Sequence, residues 1–247
     1  MAIAAVEGNG DRKVLVLHGW ALDSGVWLGA RALSDVGRFT FAYFDFPGYG
    51  VSRNESPAEG IDGMARSALA SAADLGWEEF SVLGHSMGGL TALRVATLAP
   101  DRVLSVAAVT PASPAGTPLD EQTYAAFAAA WEDPGATIKG GLSPKIDDAD
   151  LARLVARNRA SMSRETWEAY LANWTSSSFM SDVASLTMPV TVFYGDSDPF
   201  ITPDYLTETL DSLGSGDLVE LGNSGHYPMI EAPTTSVPLW EQALLKA

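Results

Sequence analysis

The sequence predicts an α/β fold with a mostly parallel central sheet, helices on both faces and one helical insertion. Two observations carry this prediction. Short apolar runs alternate with stretches of helical spacing, which is typical of parallel strands joined by crossover helices. The alternation stops after residue 112, and the segment from 113 to 184 reads as helical with no convincing strand.

Six apolar runs are predicted to be strands. Most are apolar at both alternating positions, as strands covered on both faces must be. They cover residues 14–17, 39–44, 80–83, 104–109, 190–194 and 218–221. The residues before Val14 leave room for one brief additional strand.

Three helices of the core are predicted from spacing and from their end signals. Apolar residues recur at helical spacing over 61–75, and Gly76 is a plausible stop. A second helix is expected over 86–98, because Pro100 disfavours its continuation. A third is expected over 202–213, with proline at its first helical position.

The helical insertion divides the chain into two predicted units. Residues 1–112 and 185–247 form the core, and residues 113–184 form a lid over a site at the carboxyl ends of the strands. The lid is rich in large apolar side chains. Trp131, Trp167 and Trp174 are its candidate substrate-pocket residues, although helical tryptophans more often pack in a core.

Composition excludes several classes of protein. Of 247 residues, 47% are hydrophobic and 19% charged, as in an ordinary soluble globular protein. The net charge of −16 argues against nucleic acid and anionic membranes as partners, because both are bound mainly through Lys and Arg. The chain has no cysteine, which excludes a cysteine nucleophile, a disulfide framework and a thiolate metal site.

The first ten residues lack the basic and apolar regions of a signal peptide, and no apolar run reaches the length of a membrane-spanning helix. A cytoplasmic location is therefore the expectation. The sequence is compatible with either a monomer or a homodimer.

The segment Gly84-His85-Ser86-Met87-Gly88 matches the nucleophile elbow Gly-x-Ser-x-Gly, in which serine lies on a sharp strand-to-helix turn. Ser86 is the predicted nucleophile. At a helix N-terminus, unpaired backbone N–H groups can stabilise an oxyanion. The N–H of Met87 is the expected first donor. The N–H of Trp20, in the loop after the first long strand, is the expected second donor.

A serine hydroxyl needs a base to activate it and a third group to orient that base. Ser86, Asp198 and His226 follow one another in the chain order that accompanies this elbow. His226 is the predicted general base and Asp198 the predicted acid of a catalytic triad. Asp196 is the alternative acid, and its other interpretation is a turn cap.

The remaining two histidines, His18 and His85, are predicted to support the site from nearby. Asp45 precedes Ser86, in the wrong order for a triad acid. It is interpreted as a turn-stabilising carboxylate.

Five segments together resemble the α/β-hydrolase fold superfamily, in its lidded, serine carboxylesterase-like form. They are His18-Gly-Trp20, residues 45–52, residues 84–89, Gly195-Asp-Ser-Asp198 and residues 225–233. The chain is similar to carboxylesterases of pimeloyl methyl esters, to cofactor-free haloperoxidases and to carbon–carbon bond hydrolases. The resemblance implies hydrolysis of esters with small or medium acyl chains.

Two features depart from the pimeloyl esterases. His85 precedes the nucleophile where those enzymes carry tryptophan. The predicted lid is acidic, which suits an acidic acyl carrier poorly as a partner. Its acidic residues are Glu121, Glu132, Asp133, Asp147, Asp148 and Asp150.

These observations predict a serine hydrolase that cleaves a small to medium, mainly apolar carboxylic ester or lactone through an acyl-enzyme. Its partners are then a small-molecule ester and water, and it needs neither a metal nor an organic cofactor. Three alternatives remain open. The same triad serves carbon–carbon bond hydrolysis, amide hydrolysis and perhydrolysis. The fold also serves as a small-molecule receptor without turnover, or as a structural or partner-binding protein.

Overall fold

A seven-stranded sheet forms the centre of the protein in the computed structural model, which describes residues 2–246. The spatial order is β1-β3-β2-β4-β5-β6-β7, with β1 antiparallel and the other neighbours parallel. The strands are β1 (Ile3–Gly8), β2 (Arg12–Leu17), β3 (Phe39–Phe44), β4 (Phe80–His85), β5 (Val103–Val109), β6 (Val190–Gly195) and β7 (Asp217–Leu221).

The predicted fold class is confirmed. Each of the six predicted strands is present, and β1 is the brief additional strand expected before Val14. The strand β4 runs two residues further than predicted and ends at His85, directly before Ser86. All six residues of β4 are buried, which agrees with a central strand covered on both faces.

Eleven α-helices are described between residues 2 and 246. The three core helices expected from spacing are α2, α3 and α9. The full set is α1 (Leu28–Arg31), α2 (Gly60–Asp74), α3 (Met87–Leu98), α4 (Glu121–Ala129), α5 (Pro134–Thr137), α6 (Asp148–Ser161), α7 (Arg164–Thr175), α8 (Met180–Val183), α9 (Pro203–Leu213), α10 (Pro228–Glu231) and α11 (Pro233–Leu244). Short 3₁₀ turns lie at Ser24–Trp27 and Gly50–Ser52, and a π turn at Ile138–Leu142.

Two apolar cores cover the two faces of the sheet. On one face, α2, α3 and α9 bury Met64, Leu90 and Leu206. On the other face, α11 buries Trp240, which packs edge-on against Trp27. Burial of this apolar surface is the main stabilising contribution to the fold, and it holds the strand ends in fixed positions.

The helices α4 to α8 lie between β5 and β6, and no residue from 110 to 189 belongs to a strand. Tyr170 of α7 donates to the Pro47 carbonyl oxygen at 2.7 Å, and Asn173 donates to the Ala58 carbonyl oxygen at 2.8 Å. These bonds fasten α7 to loops that follow β3. The limits 113 and 184 of a separate lid remain a prediction.

No helix within residues 2–246 is both long and apolar enough to cross a bilayer.

Candidate active site

Ser86 lies between β4 and α3 in a backbone conformation that L residues rarely adopt. Its φ is 54° and its ψ is −118°. Such strain persists only where the surroundings enforce it. Here the Ser86 N–H donates to the Val109 carbonyl oxygen at 2.8 Å, and its carbonyl accepts from the Leu90 N–H at 3.0 Å. Backbone hydrogen bonds on both sides of the residue therefore hold this strained turn in place.

Glycines next to Ser86 permit this turn, because three backbone segments meet there. A Cβ on Gly84 would overlap the carbonyl oxygen of Gly88. A Cβ on Gly88 would overlap the carbonyl oxygen of His18, at the end of β2. Side chains at either position would force the start of α3 away from the sheet.

A continuous chain of hydrogen bonds runs from Ser86 through His226 to Asp198. The His226 Nε2 is 3.0 Å from the Ser86 Oγ, and its Nδ1 is 2.7 Å from the Asp198 Oδ2. The three residues follow β4, β6 and β7, whose carboxyl ends lie at one edge of the sheet. The Asp198 side chain is fully buried and the His226 side chain is 5% exposed. The structure thus brings together the three residues proposed as a triad.

The bonds of Asp198 fix the tautomer of His226. The Asp198 Oδ1 accepts from the N–H groups of Phe200 and Ile201 at 2.8 and 3.0 Å, which leaves Oδ2 for His226. An ionised carboxylate only accepts, so the His226 Nδ1 carries the proton. The His226 Nε2 is then free to accept from the Ser86 hydroxyl, as a general base must.

Asp196, the alternative acid, binds the backbone instead. It accepts from the N–H of Asn223 at 2.9 Å and from the N–H of Ser224 at 3.3 Å. The bond from Asn223 is the largest cause of the lowered pKa of the Asp196 carboxyl. Asp196 therefore ties the loop after β6 to the loop that carries His226.

Two residues that sequence reasoning missed hold the backbone of His226. The Ser143 Oγ accepts from the His226 N–H at 2.8 Å and donates to the Glu231 Oε1, also at 2.8 Å. Glu231 also accepts from the N–H groups of Gly225 and Tyr227, both at 3.0 Å. The proximity of Glu231 to the histidine was visible in the sequence, whereas the position of Ser143 depends on how the helical segment folds back.

His85 is buried beside the site and bonds to the backbone of His226. Its Nε2 is 2.7 Å from the His226 carbonyl oxygen, and a carbonyl only accepts, so Nε2 carries the proton. Burial lowers the pKa of the His85 imidazole well below its ordinary value, against the opposing effect of the hydrogen bond to the His226 backbone. His85 is therefore neutral and donates to the loop of the proposed base.

His18 is neutral for a similar reason. Burial lowers the pKa of His18, against the opposing effect of Asp45. The His18 Nε2 accepts from the Phe46 N–H at 3.2 Å. Asp45 itself accepts from the N–H groups of Ser24 and Val51, at 2.6 and 2.9 Å, and so stabilises the turns on either side.

Trp20 and Met87, the predicted oxyanion donors, both lie close to Ser86. Met87 is the first residue of α3, so its N–H has no carbonyl partner within the helix. The close approach of Gly88 to the His18 carbonyl brings the loop containing Trp20 against the start of α3. Trp20 also lines a cavity together with Ser86. The role of the two N–H groups remains a prediction.

This cavity extends from Ser86 and His226 into the helical segment, and most of its lining is apolar. Its larger apolar lining residues include Trp20, Leu22, Phe127, Leu154, Trp167, Trp174 and Phe200. Such a wall favours an apolar ligand, with the few polar groups setting its orientation.

Of the three tryptophans predicted for the pocket, Trp167 and Trp174 line the cavity. Trp131 does not: its ring packs against Trp167, with centroids 5.9 Å apart, and the Arg159 guanidinium lies 4.5 Å from its centroid. Phe127 of α4 and Phe200, in the loop between β6 and α9, line the cavity but were not predicted, because spacing alone does not reveal which helix face or loop side chain reaches the site.

Within residues 2–246, no group of three or more His, Asp or Glu side chains is arranged to hold a metal ion.

The model of the alpha/beta hydrolase family matches residues 14–237. A protein of Nitrosomonas europaea named "Pimeloyl-[acyl-carrier protein] methyl ester esterase" is 31% identical over 252 residues, covering 95% of this chain and 96% of its own length.

Among solved structures, a hydrolase from Oleispira antarctica superposes with a TM-score of 0.87 at 16% identity, covering 98% of this chain and 94% of its own. The enol-lactonase from Burkholderia xenovorans LB400 superposes with a TM-score of 0.85 at 19% identity, covering 99% of both chains. The family match, the extent of the similarity to the relative and the shared fold all agree. The chain belongs to the alpha/beta hydrolase family.

Proposed function

We propose that the protein is a serine hydrolase that cleaves a small to medium, mainly apolar carboxylic ester or lactone through an acyl-enzyme. One observation carries the proposal: the hydrogen-bonded chain Ser86–His226–Asp198 opens onto a mostly apolar cavity. A hydroxyl bonded to a neutral imidazole, itself oriented by a buried carboxylate, is the arrangement that activates serine.

In the first step, the Ser86 Oγ attacks the carbonyl carbon of the ester while the His226 Nε2 takes the hydroxyl proton. Asp198 stays ionised and stabilises the imidazolium that forms. The carbonyl oxygen becomes an oxyanion, and the backbone N–H groups of Trp20 and Met87 stabilise it.

The tetrahedral intermediate then collapses. The bond to the leaving alkoxy group breaks as His226 returns its proton to that group, and the acyl group remains on the Ser86 Oγ. Water attacks this acyl-enzyme with His226 again as the base. The carboxylic acid leaves, and the Ser86 hydroxyl is restored.

We further propose that residues 113–184 act as a lid over this site, and that the substrate is a free small molecule. The name of the Nitrosomonas europaea relative points to an ester carried on an acyl-carrier protein. In this chain, Glu121, Glu132, Asp147 and Asp148 of the helical segment are exposed. Their negative charge disfavours approach of an acidic carrier.

A serine-reactive fluorophosphonate tests the proposed nucleophile. We expect intact-mass analysis to find one adduct on the wild type, one on Ser176→Ala and none on Ser86→Ala. Ser176 is a matched control because it is exposed and bonds only to the Ala172 carbonyl oxygen of its own helix. A folded wild-type protein without an adduct would contradict the proposal and favour a receptor without turnover.

A further inference from the structure

Some residues that line the cavity carry buried polar atoms that the proposed reaction does not use. Among the described residues, seven buried side-chain polar atoms have no hydrogen-bond partner. Three of them belong to residues that line the cavity: the Nε1 of Trp174, the Oδ1 of Asn158 and the Nδ1 of His85. Buried polar atoms without a partner are costly, so each needs an explanation.

The three tryptophans of the cavity differ in their N–H groups. The Trp20 Nε1 donates to the Trp167 carbonyl oxygen at 2.9 Å, and the Trp167 Nε1 donates to the Phe127 carbonyl oxygen at 3.1 Å. The Trp174 Nε1 has no acceptor, although its ring packs among the same aromatic side chains. Because an indole N–H only donates, Trp174 carries an unused donor in a residue that lines the cavity.

Asn158 of α6 provides the matching acceptor. Its side chain is 2% exposed, and its Nδ2 donates to the Ala21 carbonyl oxygen at 2.9 Å. Because that carbonyl only accepts, the amide orientation is fixed and Oδ1 is the atom left without a donor.

The third atom is covered by backbone. A Cβ placed on Gly19 would lie 2.6 Å from the His85 Nδ1, so the Gly19 backbone already occupies the space beside it. This leaves one donor, on α7, and one acceptor, on α6, within a wall that is otherwise mostly apolar.

We propose that the substrate is an ester or lactone that also carries a secondary amide. The amide carbonyl would accept from the Trp174 Nε1–H, and the amide N–H would donate to the Asn158 Oδ1. A secondary amide matches this pair in chemistry, because it presents one acceptor and one donor on separate atoms that face opposite ways. A single hydroxyl would have to meet residues of two different helices with one oxygen. The proposal rests on the proposed ester-cleaving function of Ser86.

A panel of p-nitrophenyl esters of equal acyl length tests the amide. In each member, one –CO–NH– unit replaces a –CH₂–CH₂– unit, at successive positions along the chain. We expect the wild type to show a higher kcat/KM for at least one amide ester than for the all-methylene ester. Trp174→Phe keeps a ring but removes the N–H, and should reduce this preference on the order of tenfold.

Trp131→Phe is the matched control. It removes an indole N–H from the same helical segment but outside the cavity, so the preference should stay at the wild-type value. Two results would overturn the amide assignment: an equal loss of preference in both variants, or no preferred amide position in the wild type. A 3-hydroxyacyl ester that is preferred over every amide ester would also overturn it.

The same panel separates this proposal from the proposed function. Turnover of the all-methylene ester that disappears in Ser86→Ala, without any amide preference, removes only the amide inference. If Ser86→Ala and the wild type hydrolyse every ester equally, the proposed function itself fails. The wild-type comparison also decides the question if Trp174→Phe does not fold.

Discussion

Hydrogen bonding differs between two carboxylates in the loops at the sheet edge and two residues of the helical segment over them. In the loops, both carboxylate oxygens of Asp198 and of Glu231 accept hydrogen bonds. In the helical segment, Trp174 and Asn158 each keep a buried polar atom without a partner. The Asp198 and Glu231 carboxylates are thus organised before any ligand arrives, as preorganised catalysis requires. The helical segment is completed only by a ligand. We interpret the loops as the source of the chemistry and the helical segment as the source of selectivity.

The largest loss of activity should come from a substitution at the sheet edge, at Ser86. Ser86→Ala removes the proposed nucleophile, and loss of one such group in another serine hydrolase costs on the order of 10⁶-fold in kcat. We expect a loss of that size for a p-nitrophenyl ester, with the thermal unfolding temperature close to that of the wild type. Full activity in the variant would place the chemistry elsewhere.

Substitutions of the two loop aspartates should differ by several orders of magnitude in their effect on kcat. Asp198→Asn leaves His226 in the wrong tautomer and should lower kcat by about 10⁴-fold, as for other triad acids. Asp196→Asn replaces one of the two carboxylate oxygens that accept from backbone N–H groups, keeps the other as an acceptor, and should cost far less. Steady-state kinetics of both variants provide the measurement, and a crippled Asp196→Asn beside an active Asp198→Asn would reverse the assignment.

Substitutions in the helical segment should change substrate selectivity rather than the rate of the chemical step. Phe127→Ala enlarges the cavity, so the preferred acyl chain should lengthen, with a change on the order of tenfold in the kcat/KM ratio of neighbouring chain lengths. The control is Tyr124→Ala on the same helix, whose side chain is half-exposed and outside the cavity lining. If both variants keep the wild-type chain-length profile, the helical segment does not select the acyl group.

Acid should lower the free energy of unfolding, because His18 and His85 are buried in their neutral forms. Burial lowers the pKa of both His18 and His85, so below about pH 6.5 the unfolded chain binds protons that the folded protein excludes. Stability is therefore fully present above that pH and falls as the pH drops, by up to about 1.4 kcal/mol per pH unit for each histidine.

Urea unfolding at a series of pH values measures this slope. His85→Gln cannot take up a proton and keeps an N–H donor for the His226 carbonyl oxygen. Below about pH 6.5 its unfolding free energy should depend less steeply on pH than that of the wild type. An unchanged slope in His85→Gln would mean that His85 does not contribute to the acid sensitivity.

The loops were more predictable from the sequence than the helical segment, and the reason is physical. A buried parallel strand needs a continuous apolar run, and the turn at Ser86 needs glycines on both sides, so both leave local patterns. Position in the loop was the only basis in the sequence for choosing Asp198 over Asp196, since their different partners depend on the fold of two loops. The proposed roles of these residues await the experiments above.

The residues that line the cavity are harder to predict from the sequence. Trp167 of α7 lines the cavity, whereas Trp131 lies in the turn after α4 and does not, and the sequence alone does not show how these two segments dock on the core. Asn158 lies between two arginines and looks like part of a solvated helix face. Its burial and its bond to Ala21 depend on a contact with a loop far away in the chain.

The proposed mechanism requires that Ser86 carries the acyl group during turnover. The most direct test mixes the wild type with p-nitrophenyl butyrate, quenches the reaction with acid within the first turnover and measures the mass of its proteolytic peptides. We expect a butyryl group on the peptide containing Ser86, formed with a burst of one p-nitrophenol per protein. Turnover without an acylated peptide, or acylation of another residue, would contradict it.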